Sequence, residues 1–427
     1  MYGTEFPDLG SLAAGDVRRW AEFDVAVRRM SGYYRDARLS RRPSREEVAE
    51  AACHANGRLR EAAVERLAAG TGPEVLPLLL IRCVDWVRPV RDLARTLVLS
   101  KLDEPALRAM LPLIGVLRRR RVDEWMTTLF RQALTPGLID DALALDDRET
   151  RRWVHGEATG LLSRERLLDI AMRDADFVVR AICGNALLDR GECVAELAAA
   201  GAPKVRVRAL TLLGPDAAVA YLADRSAAVR SMAQALVLKA GDDPAAHYRA
   251  MPVSFGALAG LGETGTAADA ARLERHLTDE RPRIRRAAVR GLRRVAPESA
   301  AVRPLLTDPS PAVTRQVVDF LRGKPALVDV PALQSLLHPG NPVHTRRAAA
   351  ALLRARDGWT RLHTDLVLLR DPDLSPGAEQ DIRAWLGTAT GLYTKPPEGW
   401  RADMEAALGH LDPALARELR FALGFTN

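Results

Sequence analysis

A chain of 427 residues would ordinarily make two or three globular domains, and its 48% apolar content comes with only 5% aromatics, so Ala and Leu must supply most of the core. No apolar run reaches the length of a membrane span, and the start Met1-Tyr2-Gly3-Thr4-Glu5 is neither basic nor apolar, which argues against a secretory leader. The net charge of +7 invites an anionic partner, but only five of the 62 basic residues are lysines, so the charge also reflects an arginine-rich composition.

Residues 1–42 read as an N-terminal helical cap. Asp16 can start a helix carrying Trp20, Phe23, Val25, Val27, Met30, Tyr33 and Tyr34, which covers the first element behind it or serves as a docking helix. Helical hairpins then follow at 44–70, 73–102, 104–134, 136–162, 164–190, 192–213 and 215–240, a first arm over 43–240. Pro73, Pro105, Pro136, Pro203, Pro215 and Pro244 punctuate the joins. Residues 241–266, with Gly241, Gly256, Gly260, Gly262 and Gly265, read as a short, loose repeat or bend. A second arm over 267–390 holds hairpins at 267–297, 299–323, 327–356 and 359–388. The segment 391–400 reads as a linker, and helices at 401–410 and 412–424 close the C-terminal end of a 391–427 cap.

One pattern organises these elements. An aspartate is followed six residues later by an arginine at Asp85/Arg91, Asp146/Arg152, Asp174/Arg180, Asp224/Arg230 and Asp279/Arg285. Val or Ile precedes the arginine in four pairs, and Ala94, Ala233 and Ala288 follow at the third position in three. The aspartate suits a loop-to-helix junction, where a carboxylate accepts from free backbone N–H groups. Stacked copies can then set the arginine of one beside the aspartate of the next, a ladder of charge-assisted hydrogen bonds. Degenerate copies stand at Asp308 to Val313, Ala202 to Arg208 and His338 to Arg347.

The run Asp224-Arg225-Ser226-Ala227-Ala228-Val229-Arg230-Ser231-Met232-Ala233, with its near copies at 85–94 and 279–288, resembles the HEAT-repeat family, and within it the bacterial HEAT-like repeats. Pro77, eight residues before Asp85, fits the family's proline kink in a first helix. The resemblance covers roughly residues 43 to 390. It implies an all-α solenoid of about a dozen hairpins with a cap at each end, a concave surface lined by second helices, and binding rather than catalysis.

The candidate binding residues lie on one such second helix. At 100° per residue, Ile284, Ala288, Leu292 and Val295 share one side of the segment, while Arg283, Arg286, Arg290, Arg293 and Arg294 share the other. Arg346 and Arg347 begin the equivalent helix two repeats on and extend the stripe. Such a face suits an acidic protein segment or phosphates, and a merely solvated face is the alternative. The run Arg118 to Arg121 covers every side of a helix, so it belongs at a loop or helix end; Arg41, Arg42 and Arg45 form a smaller cluster.

Catalytic and metal signatures are missing. The eight histidines and the cysteines Cys53, Cys83, Cys183 and Cys193 show no ligand spacing, and the cysteines read as reduced core residues of a cytoplasmic protein. Gly260 to Gly265 follows no strand and lacks the lysine of a phosphate loop. No metal, cofactor or small-molecule substrate is indicated. HEAT-like repeats also build DNA alkylpurine glycosylases, for which Trp153 with Asp123 or Glu157 is the nearest candidate set, although no segment matches that family's catalytic motif. The expected function is a scaffold or adaptor for a protein partner; nucleic-acid binding through the arginine face and the glycosylase are the alternatives.

Overall fold

The computed structural model describes residues 9–31, 38–120, 124–388 and 396–425. Among them the regular structure is entirely helical, in segments of mostly 7 to 14 residues joined by short turns. Helices this short are marginal alone, so their stability comes from packing. Their starts are nonetheless marked by the sequence. Ser44, Asn56, Asp103, Thr135, Asp147, Ser163, Asp176 and Ser254 each accept a hydrogen bond from a backbone N–H of the first helical turn. No helix among the described residues is long and apolar enough to cross a membrane.

The chain divides into two compact units, residues 1–209 and 210–427. In the first, Arg45–Cys53 pairs with Gly57–Ala68, and Val75–Arg82 with Arg88–Lys101. Each hairpin also packs like on like against the next: Gly57–Ala68 on Arg88–Lys101, Val75–Arg82 on Glu104–Leu117. This nearest-neighbour stacking defines an α-solenoid. The seam is apolar and small: Val90, Ala94 and Val98 of one second helix are fully buried, as are Ala63 and Val64 of the one before.

The N-terminal helix Arg19–Ser31 lies across Arg45–Cys53, Val75–Arg82 and Glu104–Leu117. It buries Trp20, Phe23 and Val27, and Trp20 meets Phe23 edge to face at 6.0 Å. Tyr33, Tyr34 and the linker residues up to Lys395 lie outside the described residues. One charge goes in with the aromatics. Asp24 is buried against Arg82, Arg28 and Arg120, the last bonding at 2.6 Å and also donating to the Ala21 carbonyl at 2.7 Å. Burial would raise the Asp24 carboxyl, but Arg82, Arg28 and Arg120 outweigh it and hold the group below its usual range. Part of the arginine run is thereby structural: Arg120 fastens the N-terminal helix.

In the second unit the glycine-rich stretch is not loose. It forms helices Pro244–Ala250 and Phe255–Thr264, and Gly256 to Gly262 are buried throughout. The glycines permit close approach. A Cβ on Gly262 would strike the Cα of Gly291 on helix Pro282–Val295, one on Gly260 the Tyr248 ring, and one on Gly256 the Ala223 carbonyl. The sequence reads as a loose repeat or bend because glycine serves tight packing and loose turns alike. Helix Pro282–Val295 then packs on Pro311–Leu321, and that on Val343–Arg354. At the C-terminal end Arg401–Ala407 and Pro413–Leu423 close over Leu362, Leu366, Ile382 and Trp385 with Met404, Leu408 and Leu419. Trp400, inside the expected linker, stacks on His363 at 4.3 Å.

Candidate partner-binding surface

The arginines divide into two populations, those consumed by the fold and those left to solvent. The first population makes ladder rungs. Arg285 forks onto Asp308 of the next hairpin, Nε–Oδ2 2.6 Å and Nη2–Oδ1 2.8 Å, while its Nη1 donates to the Asp279 carbonyl at 2.7 Å. Arg230 repeats this with Glu263 at 2.6 and 3.1 Å and the Asp224 carbonyl at 2.8 Å. Arg60 forks onto Asp85 at 2.8 and 2.9 Å and donates to the His54 and Ala55 carbonyls. Each guanidinium thus closes its own loop and reaches one hairpin further. Burial would raise the Asp85 carboxyl, but the Arg60 bond, the Arg82 charge and the Val87 N–H hold it low.

Several pairs named from the sequence depart from that geometry. Asp146 is exposed, and its neighbour Asp147 caps the helix instead. Asp174 accepts from Arg151 at 2.9 Å rather than from Arg152 of the preceding copy, and Arg152 forks onto Asp176 at 2.7 and 3.1 Å. Arg180 Nε is buried without a hydrogen-bond partner among the described residues. The next copy carries Ala202 at the aspartate position, so that position offers Arg180 no acceptor. Arg91 donates to the Asp85 carbonyl at 3.0 Å and lies 3.6 Å from Asp92. The Asp279 carboxylate accepts from Arg281, whose side-chain bond holds it far below its usual range.

Arg346, assigned to the anion-facing stripe, belongs to the ladder. It is 4% exposed, pairs with Asp371 at 2.8 Å and with Asp373, and donates to the Pro339 and Asn341 carbonyls. The sequence could not separate it from Arg347, because adjacent helical residues point about 100° apart and the register was not fixed. Arg347 is exposed.

The second population sits on helix Pro282–Val295. Ile284, Ala288, Leu292 and Val295 are buried; Arg283, Arg290, Arg293 and Arg294 are exposed, and half-buried Arg286 lies over the Phe255 ring at 5.8 Å. Among the described residues no carboxylate stands within ion-pairing distance of these five. Arg293 and Arg294 lie in the last turn, where the helix dipole alone favours cations, so the weight falls on Arg283, Arg286 and Arg290.

The ladder register also exposes members that sequence reasoning missed. In Pro311–Leu321, Thr314 takes the ladder position, its Oγ1 3.3 Å from the Asp308 carbonyl. The next residue, Arg315, therefore corresponds to Arg286 and Arg347. Arg315 and Asp319 on that helix, and Arg322 just past its end, are exposed. Counting seven residues from Asp308 would have found Arg315.

The glycosylase set does not assemble. Trp153 is 7% exposed, its ring tilted on Phe130 at 4.3 Å with Arg118 at 5.3 Å. Glu157 pairs with Arg131 at 2.8 Å, and Asp123 lies outside the described residues. A tryptophan within the core has no face for a base. The exposed tryptophan is Trp86, at 61%, with Arg28 and Arg60 within 4.6 Å of its ring.

These features define the class as an all-α helical-repeat protein with a basic second-helix surface. No family profile matches the sequence, and no curated protein matches it. Among solved structures the chain is similar to one titled "Kap95:Nup1 complex", at 11% identity and a TM-score of 0.31, over 97% of this chain and 61% of that one. The chain thus spans less than two thirds of that relative's length.

Proposed function

We propose that this chain is a repeat scaffold or adaptor that holds an acidic segment of a partner protein along the second-helix face of Pro282–Val295, Pro311–Leu321 and Val343–Arg354. The carrying observation is the contrast between the ladder guanidiniums, which are forked onto carboxylates, and Arg283, Arg286, Arg290, Arg315 and Arg347, which form no ion pair among the described residues. An unpaired row of like charge carries a repulsive cost that a bound polyanion removes.

One detail favours protein over nucleic acid. None of the exposed large apolar side chains lies between residues 282 and 354, so the surface offers no stacking platform.

Fluorescence anisotropy with a labelled glutamate-rich peptide tests the reading. Changing Arg286 and Arg290 to Glu weakens binding about tenfold or more, and the loss shrinks as salt rises. Unchanged affinity in that variant refutes the surface. Single-stranded DNA binding tighter than the peptide at about 0.15 M salt replaces the protein reading with the nucleic-acid one.

A further inference from the structure

A second basic feature of the same unit is a recess rather than a face. A cavity of about 210 Å³ opens between the ends of helices Pro311–Leu321 and Val343–Arg354. Its apolar wall includes Leu321, Val328 and Leu352, all buried, and its polar lining is Arg322, Lys324 and Arg356. No acidic residue lines it. Gly323, at φ 78°, makes the left-handed turn that brings both Arg322 and Lys324 to the recess.

Cations at helix C-termini have an ordinary explanation, because the last carbonyls carry partial negative charge. The magnitudes show that this does not suffice. Two helix ends supply about −0.5 charge each, against three full positive charges. Glu298 and Arg293 act on Lys324 with opposite sign from outside the lining, and the Asp329 carboxylate, also outside it, accepts from the Ala332 N–H at 2.7 Å. The groups that line the recess are therefore net positive. Donors are also left over. Lys324 Nζ spends one N–H on the Pro297 carbonyl at 2.6 Å and rests over the Phe320 ring at 4.1 Å. Arg356 spends one on the Val328 carbonyl, and Arg322 bonds nothing with its side chain among the described residues.

We infer that this recess binds an oxyanion carried on a short apolar body, a phosphate monoester held by Arg322, Lys324 and Arg356 with its hydrocarbon part against Leu321, Val328 and Leu352. The ester is either a free small molecule or a phosphorylated side chain of a partner. The recess opens at the ends of two helices of the surface proposed above, but it can be tested separately, since Arg286 and Arg290 do not line it.

Calorimetric titration of the full chain with phenyl phosphate is the test, with inorganic phosphate, phenol and a phosphotyrosyl peptide as comparisons. Phenyl phosphate binds saturably and more tightly than inorganic phosphate or phenol. The double variant Arg322→Gln/Lys324→Gln weakens it at least tenfold, while Arg286→Glu/Arg290→Glu leaves it unchanged. A peptide that binds much more tightly than phenyl phosphate identifies the partner as the source; equal affinity identifies the free ester. Arg322→Gln alone, at an exposed helix end, provides the second variant should the double one fail to fold. No saturable heat into the millimolar range, phenol binding as tightly as its phosphate ester, or variants that bind like the parent would each overturn the assignment.

Discussion

Replacing Asp308 with Ala removes one complete rung. Its carboxylate accepts the Arg285 fork at 2.6 and 2.8 Å and the Ser310 N–H at 2.8 Å, and it is 6% exposed. Each charge-assisted bond contributes about 1.5 kcal/mol or more, and the lost turn about 1 kcal/mol. Arg285 keeps the Asp279 and Glu280 carbonyls at 2.7 and 3.0 Å, which offsets part of the loss. The expected cost is about 3 kcal/mol, the lower end for stranding one partner of a buried pair. A stack of repeats does not unfold in one step, so the readout must be local. Amide exchange in Pro311–Leu321 should quicken about a hundredfold, whereas exchange in Gly57–Ala68 should not change. Adding Arg285→Met should restore part of the protection, because no guanidinium is then stranded. Less than a threefold change would refute the ladder as a source of stability there.

Arg180→Met should be nearly neutral in the same assay, within about 1 kcal/mol, since its Nε has no hydrogen-bond partner among the described residues; a loss as large as that from Asp308→Ala would reveal an acceptor. Gly262→Ala should destabilise by about 2 kcal/mol or more in a thermal melt, because the added Cβ meets the Gly291 backbone, which cannot yield as a side chain can; an unchanged melt would mean the two helices part freely. Asp365 is fully buried, and burial, partly opposed by Arg354, pushes its carboxyl from 3.8 up to about 6. The folded state then holds the proton more tightly than the unfolded one, so stability falls as pH rises from about 4 to about 6. Asp365→Asn should flatten that interval relative to the parent in melts across the range, and a difference that does not vary with pH would refute it. Cys53 and Cys183 are buried with thiols pushed up to about 12, chiefly by burial, and should resist alkylation until the chain unfolds; rapid labelling of the native protein would contradict this.

The architecture was legible because a repeat states the same local rule several times. Asp85, Asp224 and Asp279 each announce a loop followed by a helix, and the Val or Ile and the Ala after them mark the face that enters the seam. The caps and the amphipathic face of Pro282–Val295 follow from local spacing in the same way. What local spacing could not supply was the partner of each charge. Arg346 and Arg347 are neighbours in sequence, yet one is fixed between Asp371 and Asp373 and the other faces solvent. Arg180 has the motif and no acceptor; Asp146 has the motif and no ladder role. Trp153 and Trp86 follow the same rule, one packed on Phe130 and the other exposed. The glycines of 256–262 read as slack and prove to be contact points. The periodicity of the chain determined which elements form and which faces they bury. Which arginines remain free, and where two of them border a recess together with a lysine, was decided only when successive hairpins came into register.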